Sequence, residues 1–345
     1  MNLKSFNFKK VSSTKLNGWF EKEEKCYSIS MNKENSLIIA GSNSKIKIYK
    51  FNPKLLKMKE IQILKEHSDD VTTLSFFKTI IYSFISGSRD LTIIIWSCQQ
   101  SRKDKESLKL KWISHHKIQA HSNPITCLIF NRVENLIISG SGDNNIKFWS
   151  YNFNEAKIYY QQTIQEHVNW VYSLSINNTG NKVISCGHDQ LILIIEYNNE
   201  SQSWIVIQKI MTQYFGYRLS FITEDIFTFQ PRSQPYFEVY KLNEESKQYI
   251  KTTCIQIQGG DESCVSLFPS IYCPSKGLLL SKNGKYLNLI TIYQKENKIE
   301  FLLQQSIEMD DYLLFGTMND DGSYLISWDD TSKTIQIYAQ ILNFN

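Results

Sequence analysis

Glycine and proline are scarce in this 345-residue chain, at 14 and 6. That excludes collagen-like and Pro/Gly-rich low-complexity character, and it leaves most turns to Asn, Asp and Ser. Long apolar runs are missing too. Aliphatic stretches such as residues 191–195 fall far short of the ~20 residues that a spanning helix needs. Residues 1–10 carry charge but no apolar segment of the signal-peptide kind. The 7 cysteines include no CxxC pair, and an odd, scattered set fits buried hydrophobes in a reducing compartment better than disulfides or metal ligation. The net charge of +4 is too small to be a nucleic-acid footprint. HExxH, GxxxxGK[ST] and GxSxG are all absent. The expectation is an intracellular chain, cytoplasmic with the nucleus as the alternative, with no catalytic residues, no metal and no cofactor.

What the chain does have is aromatic weight, 13% of its residues, and an internal repeat. Three segments align without gaps: FISGSRDLTIIIW (84–96), IISGSGDNNIKFW (137–149) and VISCGHDQLILII (183–195). Each follows a His and a short apolar strand, headed by His67, His121 and His167. The His-to-Asp separations are 23, 22 and 22, ending at Asp90, Asp143 and Asp189. Asp to the Trp96, Trp149 and Ile195 position is six residues each time. Looser copies of the last strand end at Tyr49, Tyr197, Tyr240, Tyr293 and Tyr338. Period-2 alternation and turn dipeptides such as Asn283-Gly284 and Asp321-Gly322 fill the intervals, so the chain reads as short strands throughout.

This pattern resembles the WD40 repeat. The resemblance implies an all-β, seven-bladed WD40-type β-propeller with four-stranded antiparallel blades, in units of about 49 residues. The expected organisation is a single domain over 1–345. Its units fall near 24–66, 67–118, 119–165, 166–212, 213–258, 259–307 and 308–345. An open ring leaves a sheet edge unpaired, so the alternating segment 1–12 is expected to supply the last blade's outer strand. The resemblance also implies buried tetrads: His67, Ser86, Asp90 and Trp96, then His121, Ser139, Asp143 and Trp149. A truncated set, His167, Ser185 and Asp189, has Ile195 in the Trp place. A Ser-His-Asp set could be taken for a catalytic triad, but an active site occurs once and this one recurs, which marks architecture.

WD40 propellers act as platforms for other proteins, so the expected partners are proteins and the expected role is a non-catalytic scaffold in a larger complex. The loops leading into each blade carry Asp69, Asp70, Asn123, Asn169 and Trp170, while Arg89 and His188 precede the turn aspartates. These are the candidate protein-binding residues, with Trp170 foremost because a loop Trp makes a strong anchor. Lysine-rich stretches at 45–65 and 102–111 read as solvated outer faces that protect sheet edges. The Phe-Arg-Arg-Gly motif of phosphoinositide-binding propellers is absent. Two alternatives stand beside the general scaffold. One is a platform like that of cytosolic iron–sulfur cluster assembly, and the other is a hydrolase or lyase working in the central channel.

Overall fold

The structure is a computed structural model that describes residues 6–16, 24–80, 82–104, 107–260, 264–265, 267–295 and 298–341. Among these residues, 28 strands form seven four-stranded antiparallel sheets, and there is no helix. The first strands of successive sheets lie beside one another around a channel, so the sheets are the blades of a β-propeller. Blade 1 spans 26–64, blade 2 71–119, blade 3 125–164, blade 4 171–211, blade 5 216–256 and blade 6 271–308. Blade 7 joins 314–341 to Asn7–Lys15.

Blade 3 shows why these residues make these strands. From the channel outward it runs Ile125–Phe130, Leu136–Ser141, Ile146–Asn152 and Lys157–Ile164. Second strands are buried almost end to end, as at Leu37–Ser42 and Leu278–Asn283, because both their faces meet neighbouring blades. The first is largely apolar, while the second buries Ser281, Lys282 and Asn283 after three leucines. Outer strands such as Lys57–Leu64 alternate, with one face in water. The core lies between blades rather than within them. Ile138 and Phe148 of blade 3, for example, pack on Val171, Val183, Leu193 and Trp204 of blade 4. No blade covers its own apolar faces, so stability comes from the ring. Blade 6 has the shortest inner strand, Ile271–Cys273. It is flanked by Pro269 and Pro274, which have no backbone N–H to give a ladder.

Closure is covalently remote. Asn7–Lys15 pairs antiparallel with Thr334–Ile341, Asn7 opposite Ile341 and Lys15 opposite Thr334. Of the expected closing segment, residues 1–5 lie outside the described residues.

Two devices fit blade to blade, and neither was legible beforehand. The first is an amide clamp on the outer strands. Gln62 accepts from the Trp112 N–H at 2.8 Å and donates to the Trp112 carbonyl at 2.7 Å, joining blades 1 and 2. Gln162 does the same to Trp204, Gln208 to Tyr249 and Gln305 to Phe8. In blade 2 the equivalent position is His116, whose Nδ1 accepts from the Ile158 N–H at 3.0 Å. Half-buried, it ties blades together rather than forming a surface pair with the exposed His115. In blade 5 the position is Thr253, opposite Val239.

The second device is a matching of side-chain size at the rim of the channel. A Cβ on Gly140 would lie 2.8 Å from Val171 Cγ1 of the next blade, and one on Gly87 would lie 2.9 Å from Ile125 Cγ2. In blade 4 the glycine position holds Cys186, and the next blade answers with Gly216, whose carbonyl lies 3.4 Å from the Cys186 sulfur. Bulk has moved from one side of the joint to the other.

The lysine-rich stretches need one correction. Lys47 is buried rather than solvated, because its ammonium donates to Glu24 at 2.6 Å and to the Leu16 carbonyl at 2.7 Å. Residues 102–104 and 107–111 belong to the paired strands Thr92–Asp104 and Ser107–Gln119, and the side chains of 100–109 lie outside the described residues.

Candidate functional site

The turns between second and third strands set the geometry of one face of the ring. In blades 2, 3 and 4 the residue after the turn aspartate is left-handed: Leu91 (φ 71°), Asn144 (φ 70°) and Gln190 (φ 61°). This bend turns each aspartate back toward the histidine before its blade. His67 Nδ1 lies 2.8 Å from Asp90 Oδ2, and His67 Nε2 lies 2.7 Å from Ser86 Oγ, to which the Trp96 indole N–H donates at 2.8 Å. Blade 3 repeats this with His121 Nδ1–Asp143 at 2.9 Å, Nε2–Ser139 at 2.7 Å and Trp149 Nε1–Ser139 at 2.9 Å. In blade 4, His167 reaches Asp189 at 2.9 Å and Ser185 at 2.8 Å, and Ile195 replaces the indole.

Donor counting assigns the protons. The indole only donates, so the serine oxygen accepts from it and passes its own hydrogen to Nε2. Nδ1–H then donates to the carboxylate. Burial alone would raise the Asp90 carboxyl, but hydrogen bonds from His67, Thr92 and the Ser68 N–H hold it well below the usual carboxylate range. Asp143 is held low in the same way by His121 and the N–H groups of Ser122 and Asn145. Burial pushes His121 down, against the opposing pull of Asp143. In blades 2 and 3 the serine oxygen is buried and bonded on both sides, by histidine and by indole, while Ser185 of blade 4 is buried against His167 alone. These groups hold the loops.

Above this frame the candidate contact residues fall into two groups. In the first, Arg89 meets Asp70 at 3.4 Å and lies over the Tyr27 ring at 5.3 Å, while Asp69 accepts from the Asp70 N–H. Arg89 and Tyr27 border a cavity of about 270 Å³ lined also by Lys25, Phe315, Trp328 and Asp330. The buried Trp328 indole N–H has no hydrogen-bond partner among the described residues.

In the second group, Asn169 bridges to His188 at 3.4 Å and accepts from the Trp170 N–H at 2.8 Å. Trp170 stays 41% exposed while its ring lies over Gly142, whose carbonyl accepts from Asn123 at 3.2 Å. His188 packs on Phe215 at 4.3 Å, Tyr172 stacks edge-on to Tyr217 at 4.8 Å, and Arg232 covers Phe215 at 5.3 Å. Val168, Met211 and Tyr214 extend this surface as exposed apolar side chains. Sequence reasoning missed Tyr27, Tyr172, Phe215 and Tyr217. Tyr27, Tyr172 and Tyr217 lie at the start of inner strands and Phe215 in the loop before one, places that the His–Asp spacing does not mark, and only the ring brings Tyr172 to Phe215 and Tyr217.

The channel holds a larger cavity, about 530 Å³. Its carboxylates are engaged. Glu134 accepts from the Lys78 N–H at 2.5 Å, the Thr79 N–H at 2.9 Å and the Thr79 hydroxyl, and Asp320 pairs with Lys78 at 2.8 Å. Among the described residues, no group of three His, Cys, Asp or Glu side chains could hold a metal ion. No described helix is long and apolar enough to cross a membrane.

The family profile described as "WD domain, G-beta repeat" matches residues 58–97, 112–150 and 159–196, which carry the repeated segments of blades 2, 3 and 4. The chain thus carries WD40 repeats in these blades and folds as a seven-bladed β-propeller. It is 29% identical over 82 residues to polyadenylation factor subunit 2 of Candida albicans, covering 24% of this chain and 14% of that protein. It is 25% identical over 166 residues to striatin of Mus musculus, covering 46% and 20%. It is 27% identical over 151 residues to nuclear distribution protein PAC1 of Komagataella phaffii, covering 40% and 28%. The chain thus spans less than a third of the length of each of these relatives.

Proposed function

We propose that this chain is a non-catalytic, intracellular scaffold subunit, one WD40 domain over 1–345, that holds protein partners on the face carrying Trp170. The observation that carries this is a half-exposed indole on a fixed seat. The Trp170 backbone N–H donates to Asn169, its ring is seated over Gly142, and exposed Val168, Met211 and Tyr214 extend the apolar surface. A large aromatic already held in place loses little conformational freedom on binding. The first group, Asp69, Asp70 and Arg89 with Tyr27, offers a second contact beside its cavity. The engaged state of Glu134 and Asp320 favours binding over acid–base chemistry in the channel. The similarity to a polyadenylation factor subunit points the same way, toward work in an assembly. Which assembly, including one for iron–sulfur clusters, is a question for the experiment.

Affinity purification of the tagged full chain with mass spectrometry tests the reading. A reproducible partner set that Trp170→Ala depletes, with an unchanged melting temperature, supports it. Partner sets identical for wild type and Trp170→Ala would overturn the assigned face. Turnover of a small substrate lost on blocking the channel would favour the enzyme reading.

A further inference from the structure

The joint between blades 5 and 6 lacks the amide clamp, and a different group of side chains crosses it. Arg218 stands just past the bulge in the inner strand of blade 5, where blades 1 to 4 carry Ser28, Thr73, Cys127 and Ser173. It is 1% exposed. Its guanidinium donates to the Phe268 carbonyl at 2.6 Å, to the Val265 carbonyl and, at 3.2 Å, to the sulfur of Cys264. Lys282, 0% exposed in the second strand of blade 6, directs its ammonium at the same sulfur from 3.5 Å. No carboxylate among the described residues bonds either cation. Asp311 acts on Lys282 only through space, and Tyr217 neighbours the sulfur.

Two buried cations without a counter-ion are costly. The group that can supply the negative charge is the thiol between them. The Gly284 N–H also points at that sulfur, and among the described residues the acceptor for an S–H there is the Val265 carbonyl, 3.9 Å away. The nearer described groups, Arg218, Lys282 and the Gly284 N–H, all donate, as a thiolate requires.

We propose that Cys264 rests as a thiolate held by Arg218 and Lys282, and that it is the peroxide-reactive cysteine of this protein. Burial by itself raises the thiol, but the two cations outweigh it and bring it to about 6; burial and Arg218 bring Lys282 down to about 8. The thiolate sulfur attacks one oxygen of hydrogen peroxide, an S–O bond forms as the O–O bond breaks, and the departing hydroxide takes a proton to become water. Sulfur loses two electrons, peroxide gains them, and the product is a sulfenic acid that a thiol reductant returns to the thiolate through a mixed disulfide. Peroxide is hardly larger than water, and the segment that carries the cysteine borders both cavities: Val265 and Leu267 line one, Leu267 and Phe268 the other. An oxygen added at the sulfur competes for the Arg218 donors that fix this segment, which links oxidation to the shape of the binding face.

The test treats the full chain with dilute hydrogen peroxide and dimedone and maps all seven cysteines by peptide mass spectrometry. In parallel, iodoacetamide labelling of Cys264 is followed from pH 5 to 9. A dimedone adduct at Cys264 ahead of the exposed Cys254, and a labelling rate that is flat above pH 7 and halves near pH 6, support the proposal. Lys282→Met should then slow labelling at pH 7 by about tenfold or more, and Lys282→Arg should restore it. The idea is overturned if Cys264 gains no adduct while Cys254 does, or if its labelling climbs only above pH 8. The wild-type profile decides alone if Lys282→Met does not fold.

Discussion

One side-chain amide, that of Gln305, holds both backbone groups of Phe8, 297 residues away: the Phe8 N–H donates to Oε1 at 2.8 Å and Nε2 donates to the Phe8 carbonyl at 2.9 Å. The contact fastens blade 6 to the strand that completes blade 7, so it guards the closure of the ring. Gln305→Leu should cost about 1–3 kcal/mol, as two part-buried hydrogen bonds are lost and a backbone pair is left open. Thermal melts with Gln62→Leu as the comparison, at a joint away from the closure, would check it. A loss confined to Gln62→Leu would contradict the special weight given to the closure.

The tetrads predict a pH dependence of known sign. Asp90, Asp143 and Asp189 have folded pKa values below their unfolded ones, so their contribution is complete above about pH 4 and is lost as pH falls through the folded values. His121 is also shifted down, so the unfolded chain binds its proton first and stability declines as pH drops below about 6.5. Both effects lower the melting temperature on acidification. Asp143→Asn should be less stable than wild type at pH 7 by about 1–3 kcal/mol, and the gap should narrow below pH 4. A gap that is constant with pH would rule out the ionised carboxylate.

Gly140→Ala should be destabilising despite adding only a methyl group. The new carbon would sit 2.7 Å from the Cys127 sulfur and 2.8 Å from Val171 Cγ1. Overpacking of this kind costs about 1–3 kcal/mol. Val171→Ala in the same chain should recover part of it, a coupling that denaturant titration of the double-mutant cycle would measure.

Leu91 is a bulky residue in a left-handed turn position (φ 71°), one that its counterpart Asn144 adopts more readily. Leu91→Asn should therefore raise stability by about 0.5–1 kcal/mol, seen as a higher urea midpoint with an unchanged slope. A fall would mean that the half-buried leucine side chain contributes more by packing than its backbone costs.

Much of this was legible in the sequence, and the rest was hidden for physical reasons. Spacing sufficed where one residue type must meet another across a fixed turn, as with His121 and Asp143. Alternation sufficed to mark Thr334–Ile341 as a strand, though Gln336 on its polar side is as buried as its apolar neighbours. Gln62, Gln162, Gln208 and Gln305 escaped because an outer-strand glutamine looks like any solvated residue until the neighbouring strand is in place. Lys47, Arg218 and Lys282 escaped because charge is ordinarily read as exposure, and only their partners Glu24 and Cys264 make burial tolerable. Tyr27, Tyr172 and Tyr217 share one periodic place, the bulged second residue of the inner strand, but blades 2 and 3 hold Thr72 and Thr126 there. That the aromatics of blades 4 and 5 meet with Phe215 shows only once the blades are side by side.

The closing ladder also has a mechanical reading. Because Asn7 lies opposite Ile341, tethers attached outside these two residues would pull on the same end of the pair. Load would reach the rungs one after another and peel the strand like a zipper, instead of shearing all of them together. Held by those tethers, the ring is a fastener that yields at low force, whereas a pull applied between two interior blades would have to break a packed joint at once.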